Sequence, residues 1–276
     1  MTASMESLVV ADLRVEFDGF VAVGGVSFDA HPGEVRFLIG PNGAGKTTCI
    51  DAITGLSRGS GSVRLGEQEL LGKPVNKIVR LGVGRTFQTA SVFEQLSVLQ
   101  NLDIAAGLHR RPLSLLRARR GVDPAIELAL EETGLTDVRD TPAGILSHGQ
   151  KQWLEIGMML VQEPRALLLD EPVAGMSQDE RTATGELLQR IAQRRIVLVV
   201  EHDMDFMRRY ASRVTVLHQG KVLSEGTVAE VQADPKVQEV YLGTAGAAST
   251  GAMLVVADPT LGAQTPADAE LQEKGA

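Results

Sequence analysis

Gly40-Pro41-Asn42-Gly43-Ala44-Gly45-Lys46-Thr47 fits the pattern G-x-x-x-x-G-K-[ST], and each fixed position has a chemical reason. Glycines let successive backbone N–H groups turn inward around phosphate oxygens. A helix starting just after them aims the positive end of its dipole at the same charge. Lys46 is placed to reach the β- and γ-phosphates of a nucleotide. The Thr47 hydroxyl, followed by Thr48, is placed to ligate Mg²⁺.

A second segment narrows the chemistry. Leu167-Leu168-Leu169-Asp170-Glu171 is an apolar run that ends on two adjacent carboxylates. Burial explains the leucines but not the acids. Asp170 can hold Mg²⁺ through water, while Glu171, directed the other way, can take a proton from an attacking water. A kinase would need a hydroxyl acceptor there. A guanine-specific enzyme would carry Asn-Lys-x-Asp, and Asn76-Lys77-Ile78-Val79 lacks the final acid. Of these readings, attack by water on a bound nucleotide is the one the acid pair fits.

The third segment, Leu146-Ser147-His148-Gly149-Gln150, opens a helix, with Ser147 as its N-cap and Gly149 permitting close backbone approach. Here the chain resembles the ATP-binding subunits of ABC transporters, whose signature is usually Leu-Ser-Gly-Gly-Gln. The resemblance covers about residues 7–243 and implies further roles. Phe17 stands where an aromatic ring stacks on adenine. Gln88, after Phe87, matches the glutamine that reports nucleotide state and joins Thr47 and Asp170 at Mg²⁺. His202 matches the switch histidine that contacts the γ-phosphate and steadies Glu171. Gly84-Arg85-Thr86-Phe87-Gln88, the run from Leu146 to Met158 and Glu171-Pro172-Val173-Ala174-Gly175-Met176 look most like the urea-importer subunit. That subunit belongs to the branched-chain amino acid uptake group, of which the ending Tyr241-Leu242-Gly243 is also typical. The sequence departs from the family pattern at two positions. His148 replaces the first signature glycine on an exposed loop, and Ser177 stands in place of the usual D-loop aspartate.

These residues need strands and helices to carry them. Val35–Ile39, Ala166–Leu169, Ile196–Val200 and Val214–Leu217 are short, mainly apolar runs, not alternating ones, with helical stretches between them, the pattern of a parallel sheet covered on both faces. Residues 7–29 and 62–65 alternate apolar and polar with glycine punctuation, which predicts short antiparallel strands. Between Phe87 and Pro164 helical periodicity takes over. The expected fold is therefore α/β: a P-loop NTPase core with a mainly parallel sheet, an N-terminal antiparallel β subdomain and a helical subdomain inserted at about 89–163. The helical insertion carries a basic cluster, Arg110, Arg111, Arg117, Arg119 and Arg120, read as a solvated helix face or loop, with a patch facing lipid headgroups as the alternative. Residues 244–276 read as a flexible Ala/Gly-rich tail, and Leu254–Asp258 repeats Leu8–Asp12 by chance.

Composition limits the partners. The 276 residues carry 27 Lys+Arg against 35 Asp+Glu, a net charge of −8 that argues against a generic nucleic-acid binder. A single cysteine, Cys49, excludes an internal disulfide. Apolar runs stay far below the ~18 residues of a membrane span, so a membrane role goes through a partner.

The resemblance implies what those partners are. A second ATP-binding subunit, a related chain, pairs head to tail, its signature Ser147-His148-Gly149-Gln150 closing over the nucleotide held by the first. Transmembrane permease subunits dock near Phe93–Asn101, a solute-binding protein acts indirectly, and the place of action is the cytoplasmic face of the membrane. The implied cargo is a small polar solute, urea, with branched-chain amino acids as the alternative. A soluble ATPase acting on nucleic acid or ribosomes is a third reading. Against it stand the single cassette and the lack of sustained heptads.

Overall fold

The computed structural model describes residues 7–86, 91–107 and 121–245. Gln88, the arginine cluster, residues 246–276 and the repeated pentapeptide lie outside the described residues. The chain opens with β1 (Leu8–Phe17) and β2 (Phe20–Ala30), enters the core through β3 (Val35–Ile39) and helix α1 (Lys46–Ile53), and returns through β4 (Ser60–Leu65) and β5 (Gln68–Glu69). Helix α2 (Val75–Arg80) leads to β6 (Val83–Arg85). Among the described residues the α-helices between β6 and β7 (Ala166–Asp170) are α3 (Val98–Ala106), α4 (Pro124–Thr133) and α5 (His148–Leu160). The rest alternates: α6 (Gln178–Ala192), β8 (Ile196–Val200), α7 (Met204–Tyr210), β9 (Arg213–His218), β10 (Lys221–Gly226), α8 (Val228–Ala233) and α9 (Pro235–Ala245).

Two sheets result. The strands β2-β1-β4-β5 pair antiparallel, and a six-stranded sheet runs β10-β9-β3-β8-β7-β6, parallel except for β10. Every residue of β3, β7 and β8 is buried. Alternate side chains of a strand face opposite sides. Leu38, Leu168, Leu198 and Val200 pack with Ile50 and Ile53 of α1 and with Val10, Val15 and Val63 of the antiparallel sheet. Phe37, Ile39, Leu167, Leu169, Val197 and Val199 pack with Leu102, Leu154, Leu187 and Phe206 on the helical side. Continuous apolar strands are thus the direct result of covering both faces.

Several elements carry no clear signal in the sequence. β6 is three residues long, and Gly84 approaches Met159 closely. β10 pairs only on one edge and is half-exposed. The last helix runs through Ala245, past the point where the sequence predicts a tail. Among the described residues no helix is long and apolar enough to cross a membrane.

Candidate functional site

Strand order gathers the site. β3 lies beside β8 and β8 beside β7, all parallel, with Leu38 and Asp170 both in register with Val200. The glycine loop leaves β3, His202 follows β8 and Glu171 follows β7, so the loop meets two segments over 100 positions further along the chain at the carboxyl edge of one sheet, where ligands of open α/β sheets bind.

The loop is held by backbone contacts that only glycine permits. Gly40 has φ +152° and a Cβ there would lie 2.2 Å from the Leu217 carbonyl oxygen; at Gly45, φ +97°, it would lie 2.6 Å from that of Ala22. The turn between β9 and β10 braces the same loop: Gly220 N–H donates to Ala44 O at 3.0 Å and its carbonyl accepts from Gly24 N–H at 2.7 Å. Lys46 Nζ donates to Gly40 O at 2.8 Å and Pro41 O at 3.1 Å. Burial lowers its pKa, and the nearby Glu171 and Asp170 carboxylates oppose that shift. No side chain caps α1 and its first turn carries no acid. Asn42, Gly43 and Thr47 are exposed, Thr48 is half-buried, and Ala44 is buried. A cradle of backbone amides, one ammonium and an uncapped helix start fits a polyphosphate.

Asp170 is buried, and its carboxyl lies 3.5 Å from Arg85 Nη2. Arg85 Nη1 also donates to Asp51 Oδ1 at 2.5 Å and Thr54 Oγ1 at 3.2 Å. Burial raises the Asp170 pKa and Arg85 acts against it. Its backbone N–H donates to Thr86 Oγ1, which pins the strand end. Glu171 takes φ +51°, an uncommon conformation for a residue with a Cβ. Its N–H donates to Val200 O at 2.9 Å, extending the ladder one residue past the strand. Glu171 Oε1 then lies 3.4 Å from His202 Nδ1. Among the described residues no group of three or more His, Cys, Asp or Glu could hold a metal alone. Thr47 and Asp170, completed by phosphate oxygens and water, suit the hard, hydrated Mg²⁺.

Glu201 has no assigned role in the sequence reading. It is fully buried, and its carboxylate accepts from Val173 N–H, His202 N–H and Asp203 N–H at 3.2, 3.0 and 3.3 Å. It ties the segment after Glu171 to the segment holding His202. Burial raises its pKa against those three bonds. One signal was available: an acid directly follows the all-apolar run Ile196–Val200, as Glu171 follows β7.

Ser147 caps α5 in a reciprocal box with Gln150. Its hydroxyl donates to Glu180 Oε1 at 2.8 Å, and Gly149 N–H donates to the same oxygen at 3.2 Å. Glu180 Oε2 accepts from the backbone N–H and hydroxyl of Ser177 at 3.0 and 2.9 Å. These bonds, the Ser177 N–H first, hold the Glu180 pKa down at about 2. Two expectations change. His148 is not a loop residue: it is the first residue of α5, and its exposed ring places Nε2 3.0 Å from Ala174 O. Ser177 is more than a missing aspartate, because it is the N-cap of α6. Phe17 is half-exposed at the end of β1, and Gln88 lies outside the described residues.

Comparison with known proteins agrees with this geometry. A family model described as "ABC transporter" matches residues 23–174, and one described as "Branched-chain amino acid ATP-binding cassette transporter" matches residues 221–247. The chain is 36% identical over 254 residues to the high-affinity branched-chain amino acid transport ATP-binding protein BraF of Pseudomonas aeruginosa, covering 86% of this chain and 98% of that one. It is 35% identical over 254 residues to LivG of Escherichia coli K12, named in the same words, covering 88% of this chain and all of that one. The crystal structure of the ADP conformation of MJ1267, an ATP-binding cassette of an ABC transporter, superposes with a TM-score of 0.75 at 30% identity over 87% of this chain and all of that one. The chain belongs to the ABC transporter family, as one of its ATP-hydrolysing cassettes.

Proposed function

We propose that the chain powers an importer of branched-chain amino acids, working on the cytoplasmic face of a membrane through permease subunits and a solute-binding protein. The observation that carries the motor reading is the meeting of Lys46, Asp170, Glu171 and His202 at three adjacent strand ends. The cargo reading is supported by the named relatives and by the matched C-terminal segment 221–247. Urea is the second reading, supported by His148 in the signature and by the stretches around Gln88 and Glu171. The acidic net charge supports no nucleic-acid role.

In this mechanism the backbone N–H groups of residues 42–48 and the Lys46 ammonium bind the phosphates, and Phe17 stacks on the base. Thr47, Asp170 and Gln88 would hold Mg²⁺, which supplies charge neutralisation at the β- and γ-phosphates. Glu171 orients and deprotonates the attacking water, and His202 keeps Glu171 in place. The second half of the site, Ser147, His148, Gly149 and Gln150, comes from a second, related subunit packed head to tail. ATP then acts as a ligand with higher affinity for the closed pair, and hydrolysis resets it.

Purification of the native assembly from membranes tests both parts. Co-purifying permeases, with ATPase activity stimulated by a binding protein loaded with leucine, isoleucine or valine, are expected. Stimulation by the urea-loaded protein alone would move the cargo to urea, and co-purifying ribosomes would overturn the transporter reading.

A further inference from the structure

Glu180 belongs to no sequence motif, yet its carboxylate sits on the signature. One oxygen, Oε1, accepts from both Ser147 Oγ and Gly149 N–H, at 2.8 and 3.2 Å. On the functional reading above, on which this inference rests, these are donors offered to the terminal phosphate bound by the other subunit. A carboxylate oxygen and a phosphate oxygen make the same demand of such donors, an anionic acceptor at hydrogen-bond distance. One pair of donors cannot fully serve both.

We propose that Glu180 is a positioning residue for ATP-driven closure: its carboxylate occupies the Ser147 and Gly149 donors until the γ-phosphate of ATP displaces it, so competition between the two anions sets the ATP concentration at which the halves close. The displaced carboxylate keeps a home. Its other oxygen, Oε2, stays bonded to the Ser177 N–H and hydroxyl at the start of α6. Release of Ser147 therefore leaves the α6 cap intact. The same exchange reaches the loop after Glu171, because Ser177 ends that loop and the His148 ring meets Ala174 O within it. ADP, lacking the γ-phosphate, does not compete.

The test uses ATPase kinetics of the membrane-isolated assembly, with parent, Glu180→Gln and Glu180→Asp compared. Gln keeps the side-chain length and an acceptor for Ser177 but removes the charge. Asp keeps the charge and the Ser177 cap but is one methylene too short to hold Ser147 as well. Both are expected to lower KM for ATP by roughly three- to tenfold with kcat within about twofold, and to leave inhibition by ADP unchanged. An unchanged or raised KM in either variant overturns the proposal. For Asp alone at the parent value, that result would mean the charge acts through its field and not by occupying donors. An equal shift for ADP also overturns it. Thermal melts of all three proteins identify a variant that fails to fold, and Asp, which retains the α6 cap, then carries the test. Absence of ATP hydrolysis in the parent assembly would instead remove the functional reading itself.

Discussion

Ser147 Oγ donates to Glu180 Oε1 across 2.8 Å, and this bond joins the start of α5 to the start of α6. The two residues are 33 positions apart, and β7 lies between them. Signature and D-loop segments are thereby one mechanical unit within the chain.

Replacing Glu180 by Ala removes this bond and the α6 capping box, at an expected cost of about 1 kcal/mol at neutral pH. The sign of the pH dependence follows from the depressed carboxyl. Its contribution is fully present above the ordinary value of 4.5 and is lost as pH falls toward about 2. Urea melts of parent and variant over that window should converge with acid; a gap that widens below about pH 4 would contradict the assignment.

Glu171→Gln should keep ATP binding and lose turnover by roughly 10²–10⁴-fold, the usual contribution of a positioned base. Equilibrium binding of ATP beside single-turnover hydrolysis measures both. Parent-level turnover would remove Glu171 from its role.

Lys46→Ala and Gly45→Ala separate chemistry from architecture. The first removes an ammonium that bonds to Gly40 O and Pro41 O at the loop itself, and should weaken ATP affinity by tenfold or more with a melting temperature within about 2 °C of the parent. The second drives a Cβ to 2.6 Å from Ala22 O at φ +97°, so it should weaken binding and also destabilise the fold by about 1–3 kcal/mol. Calorimetric titration and melting of both variants give the comparison.

Glu201→Gln keeps the size of a buried side chain but turns an NH₂ toward one set of backbone donors. The carboxylate accepts three N–H groups, so the expected loss is about 1–3 kcal/mol, with kcat reduced because His202 no longer sits at its place by Glu171. Denaturant unfolding and ATPase assays check the two effects together; stability and kcat equal to the parent would show that Glu201 does not brace the site.

The parts of this protein legible in the residues are those governed locally. Val35–Ile39 and Ile196–Val200 appear as strands at the bounds their apolar runs predict, and Lys46–Ile53 as the helix after the glycine loop, because burial on both faces and a glycine turn leave one solution each. Cargo was harder to read. The motifs around Gln88 and Glu171 resemble a urea importer, whereas the relatives matched along most of the chain are named for branched-chain amino acids, because a motor's short motifs are shaped by ATP and not by solute.

Residue order along the chain decided which groups are fit for phosphate chemistry, since glycine, lysine, hydroxyl and carboxylate act through their own valence and charge. Tertiary structure decided their company. It tied the Glu201 carboxylate to Val173 N–H, set Gly220 against Ala44, and laid the Glu180 carboxylate on Ser147. Those contacts depend on the sheet order β3-β8-β7 and on α5 packing beside α6. They are invisible in one dimension because hydrogen bonds between distant segments are selected by distance in space, to which spacing along the chain gives no guide.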